Sequence, residues 1–335
     1  MRVSLVSLLM ALLFSITSHA QQLLPAKIKN MNPFIIGYGA VIPDSPFLLQ
    51  QDEWMASLKL ELANNSITAD TATEEITIDG ETYLADINLR YGYRHDIELL
   101  VAVPLIYHSG GFLDQAIKSW HDLWGMSNDR RDVFPNNQLQ YEYSRNVNTL
   151  IDVSSGTGGL GDMVFGLKYN NKPGDEATSI AYRMDLKLPT GDAEKLTGSG
   201  ATDVALSVHA ANTSLLRKNN ITVYGGAGIV ALGKGDILPD IQKDYVGNTY
   251  IGTSWQTTPR LALIAQLNYE SSYYESDLNQ LGSNSFQLYL NGAYAGLDNI
   301  TYEFGFGENL ATDTTPDFLL YFAVNKRYSL PNKIK

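Results

Sequence analysis

The 335-residue sequence contains no cysteine, so neither disulfide staples nor a thiol-linked lipid holds it in place. Basic residues are scarce, 24 against 36 acidic ones for a net charge of −12, which leaves no basic face for a nucleic acid. Beyond the first twenty residues no apolar run approaches the roughly 20 residues that a membrane-spanning helix needs. The five histidines (His19, His95, His108, His121 and His209) show no metal-ligand spacing. No cofactor is expected. Gly156-Thr157-Gly158-Gly159-Leu160-Gly161 matches the dinucleotide fingerprint in letters only, because an alternating strand follows it where the fingerprint requires a helix. Its glycines read instead as a sharp turn at the rim of a sheet.

At the front of the chain, Met1-Arg2 precedes an apolar run from Val3 to Ile16 and then Thr17-Ser18-His19-Ala20. Small residues at Ser18 and Ala20 suit a signal peptidase, so residues 1–20 read as a signal peptide and Gln21 as the mature N-terminus. Residues 21–51 carry Pro25, Pro33, Pro43 and Pro46, too many prolines for a long strand. They read as a periplasmic or lumenal lead-in.

From 52 to 328 the dominant pattern is a period of two, the signature of strands with one apolar and one polar face. Met163, Phe165, Leu167 and Tyr169 alternate with small or charged residues; after a breaker at Asn170–Asp175, Ile180, Tyr182, Met184, Leu186 and Leu188 do the same. Twelve such segments follow one another. Their apolar faces carry no charge until Lys326, whereas the opposite faces carry Lys59, Asp86, Arg90, Glu98, Arg183, Asp185 and Lys187 among others. A cation at the midplane of a lipid-facing barrel wall costs about 2–4 kcal/mol, so lipid would impose this segregation.

Connections alternate in length as well. Short ones fall at Arg94–Asp96, Asn170–Glu176, Leu216–Asn219, Gln256–Pro259 and Gly296–Asn299; long ones at Asn64–Glu81, Tyr107–Leu160, Thr190–Gly200, Gly233–Asp244, Ser271–Ser283 and Asn309–Pro316. The fold class expected is all-β: a transmembrane, antiparallel, up-and-down β-barrel of twelve strands in a bacterial outer membrane, with both termini periplasmic. Its partners are outer-membrane lipid, the barrel-assembly machinery with periplasmic chaperones during biogenesis, and a small solute. The facing predicts that Leu206→Arg blocks assembly while Ser207→Arg, one position along, is tolerated.

Within the longest loop, residues 108–160, Phe112, Leu113, Ala116, Ile117, Trp120, Leu123 and Trp124 recur at helical spacing between Gly111 and Gly125. Gln138–Ser144 and Asn148–Val153 read as a hairpin. The helix, with Phe112, Trp120 and Trp124, is expected to plug or cap the barrel, and the seven charges named above to line the lumen. Those charges and that loop favour a passive channel or facilitator for small solutes, gated by the 108–160 loop. A lipid-modifying enzyme and a structural or adhesive barrel are the alternatives. Ser207 and His209 share one face of one strand, a Ser/His pair, but it faces inward, away from lipid.

Several runs stand in an order that resembles a family of uncharacterised Gram-negative outer-membrane barrels, a domain of unknown function. They are Asn32-Pro33-Phe34, Asn64-Asn65, Gly110-Gly111-Phe112-Leu113-Asp114, Trp120-His121-Asp122-Leu123-Trp124-Gly125, Gly159-Leu160-Gly161-Asp162 and Leu188-Pro189-Thr190-Gly191-Asp192. The last two runs also resemble barrels for uptake of hydrophobic or aromatic compounds. Such barrels end on an aromatic residue; here a tail, residues 329–335, follows Tyr328.

Overall fold

The structure, a computed structural model, describes residues 25–125, 135–173, 177–310 and 314–329. Period-two alternation becomes wall geometry at once. In β1 (Glu53–Asp70) Trp54, Leu58 and Leu60 are more than two-fifths exposed while Met55, Lys59 and Glu61 between them are buried. An apolar residue left bare beside a buried charge is the inverse of a soluble fold and the normal state of a wall between lipid and a polar lumen.

The wall continues through β2 (Glu74–Arg94), β3 (Ile97–Ser109), β6 (Thr157–Leu160) with β7 (Met163–Tyr169), β8 (Thr178–Leu188), β9 (Asp203–Leu216) and β10 (Ile221–Ala231). It is completed by β11 (Tyr245–Thr258), β12 (Leu261–Glu270), β13 (Ser285–Ala295), β14 (Ile300–Asn309) and β15 (Phe318–Ser329). All neighbours pair antiparallel, and β1 pairs with β15 from Glu53↔Ser329 to Asn64↔Phe318, so the sheet closes. Both β6 and β7 pair with β3 and together form one wall strand, which makes the barrel twelve-stranded as the pattern predicted. The interruption between them lies opposite Pro104, which has no N–H to give to a ladder; Gly161 N donates to Pro104 O at 2.8 Å across the bulge. The glycine run expected as a rim turn is thus, over Thr157–Leu160, part of the wall.

Aromatic rings band both edges of the apolar belt. Trp54 and Tyr91 stack at 4.4 Å between centroids at the short-turn end, and Tyr269 and Phe286 meet at 4.9 Å towards the long-loop end. Turns at the first end are tight: Asn220, after a single 3₁₀ turn at Arg217–Asn219, takes a left-handed φ of 56°, a conformation asparagine tolerates.

One expected long connection is no loop. β1 and β2 run on past the belt and turn only at residues 71–73, with Asn64↔Glu81 to Asp70↔Glu75 still paired. The polar run Asn64-Asn65-Ser66 breaks the apolar alternation because both faces of the strand meet protein here: residues 63–67 are buried in succession, and Asn64 Nδ2, on the outer face, donates to Asp114 Oδ1 at 3.1 Å. A hairpin of β4 (Gln140–Arg145) and β5 (Asn148–Val153) adds to the outer part of β2. Ile76, Tyr141 and Tyr143 from this extension pack with Phe34, Tyr38, Ile237, Tyr274 and Leu281 into one core that closes the long-loop end. A single helical turn, α2 (Asn279–Gly282), belongs to the same cap. The longest loop also carries α1 (Asp114–Trp124).

Candidate functional site

Residues 25–51 occupy the lumen. Four prolines deny this segment the regular N–H pattern of a strand, so wall side chains satisfy its backbone instead. Gln266 on β12 takes both backbone groups of Ala26: Ala26 N donates to Oε1 and Nε2 donates to Ala26 O, each at 3.0 Å. Asn30 Nδ2 donates to Glu270 Oε2 at 3.0 Å. The segment turns at the long-loop end, where Asn32 O accepts from Ile35 N and Ile36 N at 2.9 Å, Tyr274 OH donates to Phe34 O at 2.6 Å and Tyr38 OH donates to Ile237 O at 2.7 Å. It then descends past Gly39, whose N–H donates to Asp203 Oδ2 at 2.7 Å, to Leu49, whose N–H donates to Glu98 Oε2 at 2.9 Å, and so enters β1.

At the tip, Gly37 lies so close to the loop before β9 that an added Cβ would stand 2.7 Å from the Gly198 carbonyl carbon and 2.9 Å from Ser199 N. Both are backbone atoms with no rotamer to change. Gly37→Val is therefore expected to lift the tip while the wall still assembles, seen as new protease cleavage between residues 25 and 51; full protection would count against this packing.

Halfway down stands Asp44, between Pro43 and Pro46, its side chain about 1% exposed. Its Oδ1 lies 3.0 Å from Arg90 Nη1 and 3.7 Å from Lys27 Nζ; its Oδ2 lies 3.0 Å from Arg183 Nη1 and 3.5 Å from Lys168 Nζ. Arg90, Lys168 and Arg183 come from three wall strands, so one carboxylate of the threaded segment ties together β2, β7 and β8. The wall cations hold carboxylates of their own. Glu98 lies 3.0 Å from Arg90 and 3.1 Å from Lys168, and Asp185 Oδ1 accepts from Arg183 Nε at 2.8 Å. Lys59 stands directly across from Asp86 (3.5 Å) and 3.3 Å from Glu61. Lys187, across from Asp203 at 3.0 Å, also grips Asp162 and donates to Gly37 O at 3.1 Å. Opposite charges on facing strand positions are the sheet's own way of burying ions.

All seven charges expected in the lumen do face it: Lys59, Arg90, Glu98, Arg183, Asp185 and Lys187 are buried and Asp86 is half-buried. Asp44 and Lys168 join them. The missed signal was Asp44 itself, a lone carboxylate between prolines in a segment that presents no cationic partner nearby except Lys27.

Of the expected loop plug, only the Phe112 side chain is described, and it is placed differently. Glu81 Oε1, on the rim of β2, accepts from Phe112 N (2.8 Å) and Leu113 N (2.6 Å), and a carboxylate at that position steadies the start of α1. The anchor leaves Phe112 64% exposed and Leu123 72% exposed, so the Phe112 ring does not fill the lumen. The side chains of Trp120 and Trp124 lie outside the described residues.

Ser207 Oγ is 2.9 Å from His209 Nε2, but the imidazole is fully buried and its Nδ1 meets Tyr250 OH at 2.7 Å, which in turn donates to Asp44 O at 3.0 Å. Among the described residues no carboxylate hydrogen-bonds the ring. The chain of contacts ends on the backbone of the threaded segment and serves to hold it.

Among the described residues two larger spaces lie beside the segment, and a third, by Ile28, Lys29, Asn30 and Glu270, holds only about 20 Å³. A cavity of about 780 Å³ opens at the short-turn end, and one of about 100 Å³ lies higher, between the segment and the wall of β1–β3, β7 and β8. Lys27, Arg90 and Asn325 border both.

Among solved structures, an outer membrane channel from Pseudomonas putida F1 is similar at a TM-score of 0.58 and 12% identity, over 86% of this chain and 100% of that one. The NanC porin follows at 0.47 and 7% identity, over 82% and 100%. The Ralstonia pickettii toluene transporter TbuX stands at 0.39 and 10%, over 84% and 90%. At such identity the first of these establishes the fold, an outer-membrane barrel, and nothing finer. No curated protein matches the sequence. The model of a family described as proteins of unknown function (DUF3187) matches residues 2–328, nearly the whole sequence, and the chain belongs to that family.

Proposed function

We propose that the protein is a passive outer-membrane channel for small solutes, closed by residues 25–51 and opened when that segment shifts towards the short-turn end. The observation that carries this reading is a charged lumen whose occupant is joined covalently to the wall only where it enters β1 and is otherwise held by hydrogen bonds and ion pairs. A structural barrel needs no charged wall, and a lipid hydrolase needs a serine within reach of lipid. The short-turn end is assigned to the periplasm, together with both termini, and assembly to the outer-membrane barrel machinery.

The gate is placed in residues 25–51 rather than in the 108–160 loop. A chain lacking residues 25–46 is expected to give large, steady single-channel currents in planar bilayers, with the intact chain giving small or infrequent ones. A truncated barrel that assembles and passes no current would falsify the channel reading. Trp120→Ala/Trp124→Ala is expected to leave conductance unchanged; a clear rise would return the gate to the loop.

A further inference from the structure

Asp44 is the only carboxylate on the threaded segment within ion-pair distance of the wall among the described residues, and it is met by Arg90, Arg183 and Lys168 at 3.0, 3.0 and 3.5 Å. Those three cations belong to the wall and stay there when the segment moves; the carboxylate belongs to the segment and leaves with it. Three wall cations would then face water with two wall carboxylates, Glu98 and Asp185, in contact with them.

The remaining space carries the same sign. The smaller cavity is bordered by Lys27, Lys29, Lys59, Arg90, Arg183 and Lys187 against three carboxylates, Asp86, Asp162 and Asp185. The larger one is bordered by Lys27, Arg90, Arg217 and Arg327 against Glu98 and Glu303. Asp44 borders neither. Cationic groups therefore face the open spaces, while the carboxylate that balances them is turned inward.

We infer that Arg90, Lys168 and Arg183 form a binding site for the carboxylate of a small organic anion, and that Asp44 is its internal stand-in, displaced when the solute arrives. The inference rests on the channel reading and adds the class of solute to it. Two guanidinium groups and an ammonium converging on one carboxylate supply charge-assisted hydrogen bonds that a free carboxylate can reproduce without any change in the wall. Because the solute and Asp44 compete for one set of donors, binding favours the displaced segment, which couples solute to opening.

The test uses the full-length Asp44→Ala protein in planar bilayers across a KCl gradient, at about 0.1 M salt, where a Debye length of about 10 Å preserves the field of the constriction and weakens that of the distant acidic loops. Reversal potentials should show anions preferred by about threefold or more, as a cation-lined constriction focuses counter-ions. Arg90→Gln or Arg183→Gln added to Asp44→Ala should abolish the preference. In a second arm, acetate at constant ionic strength should raise the heat-denaturation temperature of detergent-solubilised Asp44→Ala and leave the wild type, whose site is filled, unmoved.

Currents that prefer cations, or a preference indifferent to both arginines, overturn the site and leave the channel standing. Absence of current in every protein sinks the channel reading, and the acetate arm still decides the site. An equal rise with chloride or nitrate means an adventitious ion only and overturns the assignment to carboxylates.

Discussion

Asp44→Asn should unseat residues 25–51 without unfolding the barrel. The substitution keeps the shape of the side chain and removes the charge that Arg90, Lys168 and Arg183 share, leaving buried cations short of a partner. Breaking a buried ion pair from one side typically costs about 3–5 kcal/mol, most of it the penalty on the group left behind. The wall itself keeps all twelve strand pairings and loses nothing in its ladders. The cost therefore falls on the docked state of the segment, and a difference of that size moves a docked population towards an undocked one. Limited proteolysis of the folded protein should cut between residues 25 and 51 in the variant and not in the wild type, with heat-modifiability on gels retained. A double-mutant cycle sharpens the point. In an Arg90→Met/Arg183→Met background the same change should cost far less, because the stranded charges are already gone. Equal cost in both backgrounds would show that the network does not hold the segment.

Leu206→Arg should fail to assemble. Leu206 is 53% exposed on the outer face of β9, in the midst of the apolar belt, where an arginine costs about 2–4 kcal/mol. The matched control is Thr222→Lys, an inward position on β10 that borders the 780 Å³ cavity and so offers a new ammonium both room and water. Yield of heat-modifiable barrel should drop sharply for the first and stay near wild type for the second; similar yields for both would reverse the facing of these strands.

Ser207→Arg shows where the sequence stopped being legible. By alternation alone it belongs to the tolerant face, and the structure confirms that Ser207 looks inward. Yet Arg183 stands directly across from it, and an added Cβ on Gly228 would meet both Ser207 Cβ and Val41 Cγ2 at 2.8 Å. The lumen there is filled, and a second cation beside Arg183 has neither space nor partner. Alternation reports which face a residue takes because lipid enforces it at every position. What stands in front of that face is set by a segment with no periodicity of its own. The strands, their number and their facing were readable for the first reason. The seating of residues 25–51, and with it the role of Asp44, was unreadable for the second. Alternation failed likewise beyond the belt, where Asn64, Asn65 and Ser66 continue a strand covered by protein on both faces. For α1 the periodicity did mark the helix but could not reveal Glu81, which pins its start to the rim.

The threaded segment also bears on how the barrel closes. Glu53 and Ser329 are partners across the final seam, 276 positions apart, and contacts of such separation demand the full entropy of loop closure before they return anything. Residues 25–51 precede β1, so they are available from the start as a shared template. Through Asp44, Leu49, Gly39 and Ala26 they touch β2, β3, β7, β8 and β9, an unbroken run of wall neighbours, and β12 beyond that run. A scaffold that gathers distant strands shortens the search each must make. Chains lacking it should reach the same closed ring more slowly, with a refolding half-time in detergent or lipid that lengthens while the final yield holds.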